Sequence, residues 1–199
     1  ALVLHAEHGG GNNSTFSVRS VSSSGANTYM AIATGVASLS GYLHGGANEH
    51  VMLMMKDLTK NVKDWGNEKG IRSYLQKVLD KKANDRSGKL YGFGHAVYTL
   101  SDPRAKIFGK YAEEYAERKG LSREYFLYSL VHKIAIELLT DRKGVKVCAN
   151  VDLYSGFVYK MLGIPRELFT PVFAMARSVG WSAHRLEQII QGKIIRPAY

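Results

Sequence analysis

Apolar residues return every three to four positions along most of this chain, with polar residues filling the intervals. From Asp102 the recurrence runs through Ile107, Phe108, Tyr111, Ala112, Tyr115 and Ala116. Asp102 suits the N-cap, Pro103 the first helical position and Gly120 the C-terminal stop. The spacing predicts a helix of about four turns. Ser122 is placed to cap the next one, carried by Phe126, Leu127, Leu130, Val131, Ile134, Leu138 and Leu139. Ile71, Tyr74, Leu75, Val78 and Leu79 mark another. Thr170 and Pro171 repeat the pairing of cap and proline ahead of a helical stretch to about Ile190. Earlier helices are expected at about 14–24, 28–40 and 47–60. Strand-like alternation is missing except for a short extended stretch expected around Lys146 and Val147, so the expected fold is all-α.

The 199 residues and 45% hydrophobic content suit a globular chain with a real core. No run approaches the roughly 18 apolar residues of a membrane helix, and the first ten residues lack the charged front of a signal peptide. No membrane partner is expected. The single cysteine, Cys148, can close neither an internal disulfide nor a cysteine-based metal cage, and packing is its expected role. That usage suits a reducing compartment, and a cytoplasmic location, or a mitochondrial matrix in a eukaryote, is expected. The chain opens on Ala1 and enters a His- and Gly-rich cluster within a few positions, which reads as the middle of a longer protein.

Charge adds one constraint. The net charge is +10, with 27 Lys and Arg against 17 acids, and the excess concentrates between Lys56 and Lys146. An anionic partner fits, either nucleic acid or a phosphate-bearing cofactor. Lys106, Lys110, Glu113, Glu114 and Glu117 interleave as a solvated helix face does, which argues against nucleic acid.

Candidate chemistry gathers in four glycine-rich or helix-end clusters: HAEHGGGN at 5–12, LHGGANE at 43–49, GFGHAVY at 92–98 with DPR at 102–104, and NVDLYSG at 150–156. Each has an ordinary reading when taken singly. His5 and His8 at i, i+3 would share a helix face, with Glu7 as a third metal ligand, but no further ligand set follows. His44 can end a helix, and Asp152 with Ser155 can form an N-cap. The glycines at 9–11 lack the spacing of a phosphate loop. His132 and His184 lie in helices and read as structural. Met52, Met54 and Met55 read as core or interface filler, and His50 as a surface residue.

Together the clusters describe another chemistry. A neutral His between glycines can donate to a developing oxyanion, and an Asp in an apolar segment can have its pKa raised enough to act as a general base. An Arg at a helix start can fork onto a carboxylate. One base, two oxyanion-side histidines and several arginines fit carbon-acid chemistry on a polycarboxylate.

In order, HAEHGGGNNSTF, LHGGANE, GFGHAVY with DPRA, ANVDLYSG, PVFAMARSVGWSAHRLEQ and IIRP make the chain resemble the C-terminal portion of a citrate synthase over essentially its whole length. The resemblance implies an all-α, two-domain dimer that lacks here the N-terminal part of the large domain. Residues 1–44 and 156–199 would belong to the large domain and 45–155 to a small domain that closes over it. It further implies that Asp152 takes a proton from the methyl group of acetyl-CoA, and that His44 donates to the thioester oxygen. His95 would polarise the keto group of oxaloacetate, with His8 on the same substrate. Arg104 and Arg177 would hold its carboxylates, and Arg196 would come from the other subunit. The nucleotide part of CoA would sit on Lys89, Gly92, Phe93 and Gly94, with Lys143 and Lys146. Acetyl-CoA enters as a co-substrate, with no tightly bound cofactor and no metal. Two positions depart from the usual family pattern: Ala96 stands where many bacterial members have Arg, and Tyr42 where Pro is usual.

Two other functions stay open on the residues alone. One is a 2-methylcitrate synthase, which would use propionyl-CoA with the same groups, a difference of one methylene. The other is a non-catalytic basic helical module that binds nucleic acid or protein. A 199-residue piece of a larger domain is also expected to be inactive and prone to associate.

Overall fold

The computed structural model describes residues 1–41, 43–95, 98 and 100–196; Tyr42, Ala96 and Pro197, on which the sequence reading touched, lie outside them. The described residues form two compact units, one of residues 1–46 with 167–199 and one of 47–166. Among them there is no named strand, and the all-α expectation holds.

In the first unit, α1 (Leu2–His5), α2 (Asn13–Ser23) and α3 (Thr28–Leu39) pack on α9 (Phe169–Gln191). Val18, Ala31, Leu39 and the fully buried Trp181 make its apolar centre. Gly35 is glycine because a Cβ there would lie 2.7 Å from Val18 and 3.0 Å from the Trp181 ring. Asn12 and Asn27 cap α2 and α3, accepting from the amides of Thr15 and Met30.

The second unit comprises α4 (Ala47–Asn61), α5 (Glu68–Leu79), α6 (Pro103–Arg118), α7 (Ser122–Lys143) and α8 (Asp152–Met161). Helix α8 is the centre of the unit, packing on both α4 and α6 with nearly every residue buried. Met54 and Met55 are buried, as expected of core filler, and Met52 accepts a hydrogen bond from Tyr128 Oη at its sulfur. Helix α6 starts as its sequence predicts, with the Asp102 side chain accepting from Arg104 N and Pro103 in the first turn.

Several local expectations need correction. Ser122 is the first residue of α7, not its cap, and Leu121 precedes it without a side-chain bond. Helix α9 begins at Phe169, so Thr170 and Pro171 fall inside its first turn after a 3-10 turn at Arg166–Leu168. Helix α1 ends at His5 and leaves His8 outside, so the shared His5/His8 helix face does not form. His50 is half-buried and stacks on the Tyr91 ring at 4.7 Å. Lys146 and Val147, expected as an extended stretch, carry no bridge; the isolated antiparallel bridge among the described residues pairs Phe93 with Ala149.

Candidate functional site

In the second unit the GFGH and DPR motifs meet. Arg104 is 6% exposed, and its guanidinium is clamped by Asp102: Nε donates to Oδ1 at 3.0 Å and Nη2 to Oδ2 at 2.7 Å. Arg104 Nη2 also lies 3.3 Å from His95 Nε2. The third nitrogen, Nη1, is buried with no hydrogen-bond partner among the described residues. A guanidinium held by one carboxylate with a donor left over has the form of a receptor for a second carboxylate. Burial would raise the Asp102 pKa, but the bonds and charge of Arg104 overcome it and hold this carboxyl below its usual range.

His95 follows Gly94, whose φ of +83° is a conformation that suits glycine. Tyr98 N donates to His95 Nδ1 at 3.2 Å. Arg104 Nη2, which can only donate, faces Nε2, so both ring nitrogens meet donors and a neutral ring can accept at only one of them; a ligand oxygen that draws Arg104 away frees Nε2 to offer an N–H.

Asp152 opens α8 without acting as a cap. Burial pushes its pKa up; the charge of Arg104 opposes this and that of Asp102 adds to it, leaving the carboxyl raised from 3.8 to about 6. A carboxylate at that value is ionised at neutral pH and basic enough to accept a proton from carbon.

Asn150 ties these pieces together. Its side-chain amide donates to Gly94 O at 2.9 Å and accepts from Asp152 N at 3.0 Å. Its own amide donates to Gly92 O at 2.9 Å, and Gly94 N donates to Cys148 O at 2.8 Å. Gly92 has φ +89°, and a Cβ there would stand 3.0 Å from Leu153 Cα, so this turn packs on the start of α8 only with glycine. Cys148 is buried, its thiol donating to Tyr98 O at 3.1 Å, and packing is its role.

The first unit holds the other candidates. His44 sits in a turn where its amide donates to Gly41 O. Gly45 cannot be replaced in that turn, since a Cβ would fall 1.9 Å from Leu39 O, and Gly46 has φ +82°. Burial, helped by the charge of Arg177, pushes the His44 pKa down, which keeps the ring neutral at neutral pH. Its Nε2 is buried with no hydrogen-bond partner among the described residues. Arg177 on α9 is 1% exposed, donates from Nε to His5 O at 2.8 Å and lies over the Phe173 ring.

His8 is half-buried in the loop after α1, a loop shaped by a residue the sequence reading gave only a metal role. Glu7 accepts from the amides of His8 and Gly9, and His184 Nε2 lies 3.1 Å from the same carboxylate. Gly180 is needed beneath it, because a Cβ there would lie 2.3 Å from Ala6 O. His184 is thus structural as expected, but as the support of the His8 loop.

The structure leaves some candidates apart. Arg196 is exposed near the end of the chain, where Ile195 N donates to Ser23 Oγ. Lys89, Lys143 and Lys146 are exposed, while Phe93 and Gly94 are half-buried and Gly92 is buried. Asp102, Asn150 and Glu7 are the residues whose part the sequence did not reveal; only the spacing of DPR and NVD, an Asx side chain two residues before a key one, pointed to the first two.

The family model for the C-terminal domain of citrate synthase matches residues 1–198. Among curated relatives, the citrate synthase of Synechocystis sp. is 41% identical over 98% of this chain and 45% of its own length. That of Haloferax volcanii is 42% identical over 99% of this chain and 47% of its own length. Among solved structures, the citrate synthase of Pyrobaculum aerophilum superposes with a TM-score of 0.81 at 34% identity, covering 100% of this chain and 46% of that one. The enzyme of Thermoplasma acidophilum, solved as a ternary complex with carboxymethyl coenzyme A and oxaloacetate, gives 0.81 at 31% identity, covering 100% and 49%. The chain therefore spans about half the length of the relatives it matches.

Proposed function

The chain belongs to the citrate synthase family, matched over residues 1–198, and on that premise we propose that it carries the acid–base and carboxylate-binding groups that condense acetyl-CoA with oxaloacetate. Asp152 takes a proton from the thioester methyl group. His44, neutral and with a buried Nε2 in want of an acceptor, donates to the thioester oxygen and holds the enol. The enol carbon attacks the keto carbon of oxaloacetate, whose oxygen takes up a proton offered by His95. Water then cleaves the citryl thioester to citrate and free CoA.

Oxaloacetate is anchored by Arg104 through the nitrogen that Asp102 leaves free, and Arg177, His8 and a second subunit's Arg196 are the further groups that the family resemblance assigns to it. The CoA nucleotide rests on Lys89, Gly92, Phe93 and Gly94, with Lys143 and Lys146 near its phosphates. The second unit, which joins most of the 45–155 span to the rest of α8, acts as the small domain of a homodimeric enzyme and the flanking segments as part of its large domain. Asp152 abstracts from a weak carbon acid, so the enol oxygen needs preorganised donors where water is excluded.

The Nη1 of Arg104, buried and without a hydrogen-bond partner among the described residues, supports this reading above all, since a native interior rarely leaves a guanidinium nitrogen unsatisfied unless a ligand completes it. The test is oxaloacetate-dependent thiol release from acetyl-CoA and from propionyl-CoA by the complete gene product that carries this chain. Release that falls by at least about a hundredfold in Asp152→Ala is the expected result, and the ratio of the two acyl substrates separates citrate from 2-methylcitrate formation. No release from either thioester would sink the reading and favour the basic interaction module.

A further inference from the structure

A cavity of about 690 Å³ opens in the second unit between α6, α7 and the 146–149 segment. None of His95, Arg104 or Asp152 lines it. Its size lies within the roughly 300–1,000 Å³ typical of small-molecule sites. The space exists because α6 turns Ala105 and Gly109, one turn apart, toward it, and a Cβ on Gly109 would already stand 3.3 Å from the Tyr154 ring.

The lining has a definite chemistry. Tyr125, Tyr154 and Ile136 give it a flat apolar wall. His132, on the lining, lies 2.9 Å through Nδ1 from the Tyr154 hydroxyl, and its Nε2 has no hydrogen-bond partner among the described residues. When the tyrosine hydroxyl donates into Nδ1, the opposite nitrogen carries a hydrogen to offer. Burial keeps this ring in its neutral form.

Three lysines, Lys106, Lys110 and Lys146, border the same space. Lys106 and Lys146 have no ion-pair partner among the described residues, and the carboxylate nearest Lys110 is Glu114 at 4.0 Å. Of the two acids on the lining, Asp102 is spent on Arg104, leaving Glu113 alone against three cations.

The geometry points to a second ligand site: this cavity binds a small organic anion, an unsaturated or aromatic body against Tyr125 and Tyr154 with a phosphate or carboxylate head toward Lys106 and Lys110. An inorganic ion would leave the apolar wall uncovered, and a neutral ring would leave the lysines uncompensated. The site also backs onto the catalytic candidates. Cys148 and Ala149 in its wall pair with Gly94 and Phe93, and Asp102 holds Arg104. An effect of the ligand on turnover rests on the function proposed above; binding itself does not.

Phenyl phosphate is the probe, titrated into the complete gene product in the presence of saturating oxaloacetate and CoA, with calorimetry and the imidazole 1H–15N spectrum as readouts. The expected result is saturable binding at sub-millimolar to millimolar concentration that shifts the His132 signal, assigned through His132→Gln. Inorganic phosphate and benzyl alcohol should each bind at least about tenfold more weakly. The double variant Lys106→Gln, Lys110→Gln should also lose at least about tenfold. It leaves every catalytic candidate in place, so it decides the matter even if His132→Gln fails to fold. Absence of binding up to about 10 mM, displacement by oxaloacetate or CoA, or equal binding by the double variant would each overturn the site.

Discussion

Asp102 does three things with one carboxylate: it caps α6, it takes two of the donors of Arg104, and its charge helps keep Asp152 basic. One substitution tests the last two together. Asp102→Asn keeps the shape and a cap acceptor but removes the charge, so Arg104 loses its clamp and Asp152 loses a negative neighbour. Both changes let the Asp152 carboxylate ionise more easily. The acid limb of kcat/KM, expected near pH 6 from the raised pKa of Asp152, should move to lower pH in the variant while KM for oxaloacetate rises. A pH–rate profile with an unmoved limb would remove Asp102 from this role. Gly45 makes a sharper demand on the backbone. With a Cβ only 1.9 Å from Leu39 O, Gly45→Ala must push the His44 turn aside. Displacement of a donor by about 1 Å can cost about a hundredfold, so kcat should fall by at least about tenfold while circular dichroism stays helical. Unchanged kcat would mean that His44 needs no such placement.

At the scale of elements, what the chain declares locally was legible and what it borrows from elsewhere was not. The α6 start was readable because Asp102, Pro103 and the apolar spacing all lie within one segment. The start of α7 is misread by one residue and that of α9 by two, since Ser122 and Thr170 offered cap chemistry that the flanking turns left unused. The motifs named the histidines, arginines and Asp152. The lacing of residues 92–94 to 148–150, across more than fifty positions of sequence, left no periodic trace. Asn150 holds that lacing together with one amide, donating to the loop of His95 and accepting from the first turn of Asp152. Asn150→Ala should therefore lower kcat more than it raises KM, and Asn150→Asp, which keeps the acceptor but not the donor, should fall between the two. A variant with wild-type kcat would show that the lacing is dispensable.

The start of α8 also carries a cost for the fold that can be measured. Asp152 stays protonated in the folded unit up to about pH 6, while the unfolded chain releases that proton near an ordinary carboxyl value of about 3.9. Between those values folding must take up a proton, and above them it must bury a charge. The destabilisation thus grows as pH rises through that window and stays constant beyond it. Asp152→Asn should be more stable than the wild type at about pH 7.5, by up to about 3 kcal/mol. The gap should close below about pH 4. Thermal unfolding of the two chains across this range checks the sign, and a variant that is less stable at neutral pH would place the net effect of Arg104 above that of burial.

For the molecule as a whole, the first unit presents more apolar surface than a self-contained unit of its size needs. Met175, Val179, Leu186 and Ile190 fall along one stripe of α9 and are all exposed, Ile190 by 84%; on α3, Tyr29 is 86% and Met30 62% exposed. Contiguous apolar patches of this kind mark surfaces that another element covers. The curated relatives supply room for such a cover, because this chain spans only 45% of the Synechocystis protein. The 199-residue chain produced alone should accordingly self-associate at micromolar concentration, seen as a sedimentation coefficient that rises with loading. Val179→Lys with Ile190→Lys should reduce that association without loss of helical signal, and the complete gene product should give a single discrete species. A 199-residue chain that sediments as a monomer at every loading would mean that the stripe tolerates water, and the need for a covering element would fall with it.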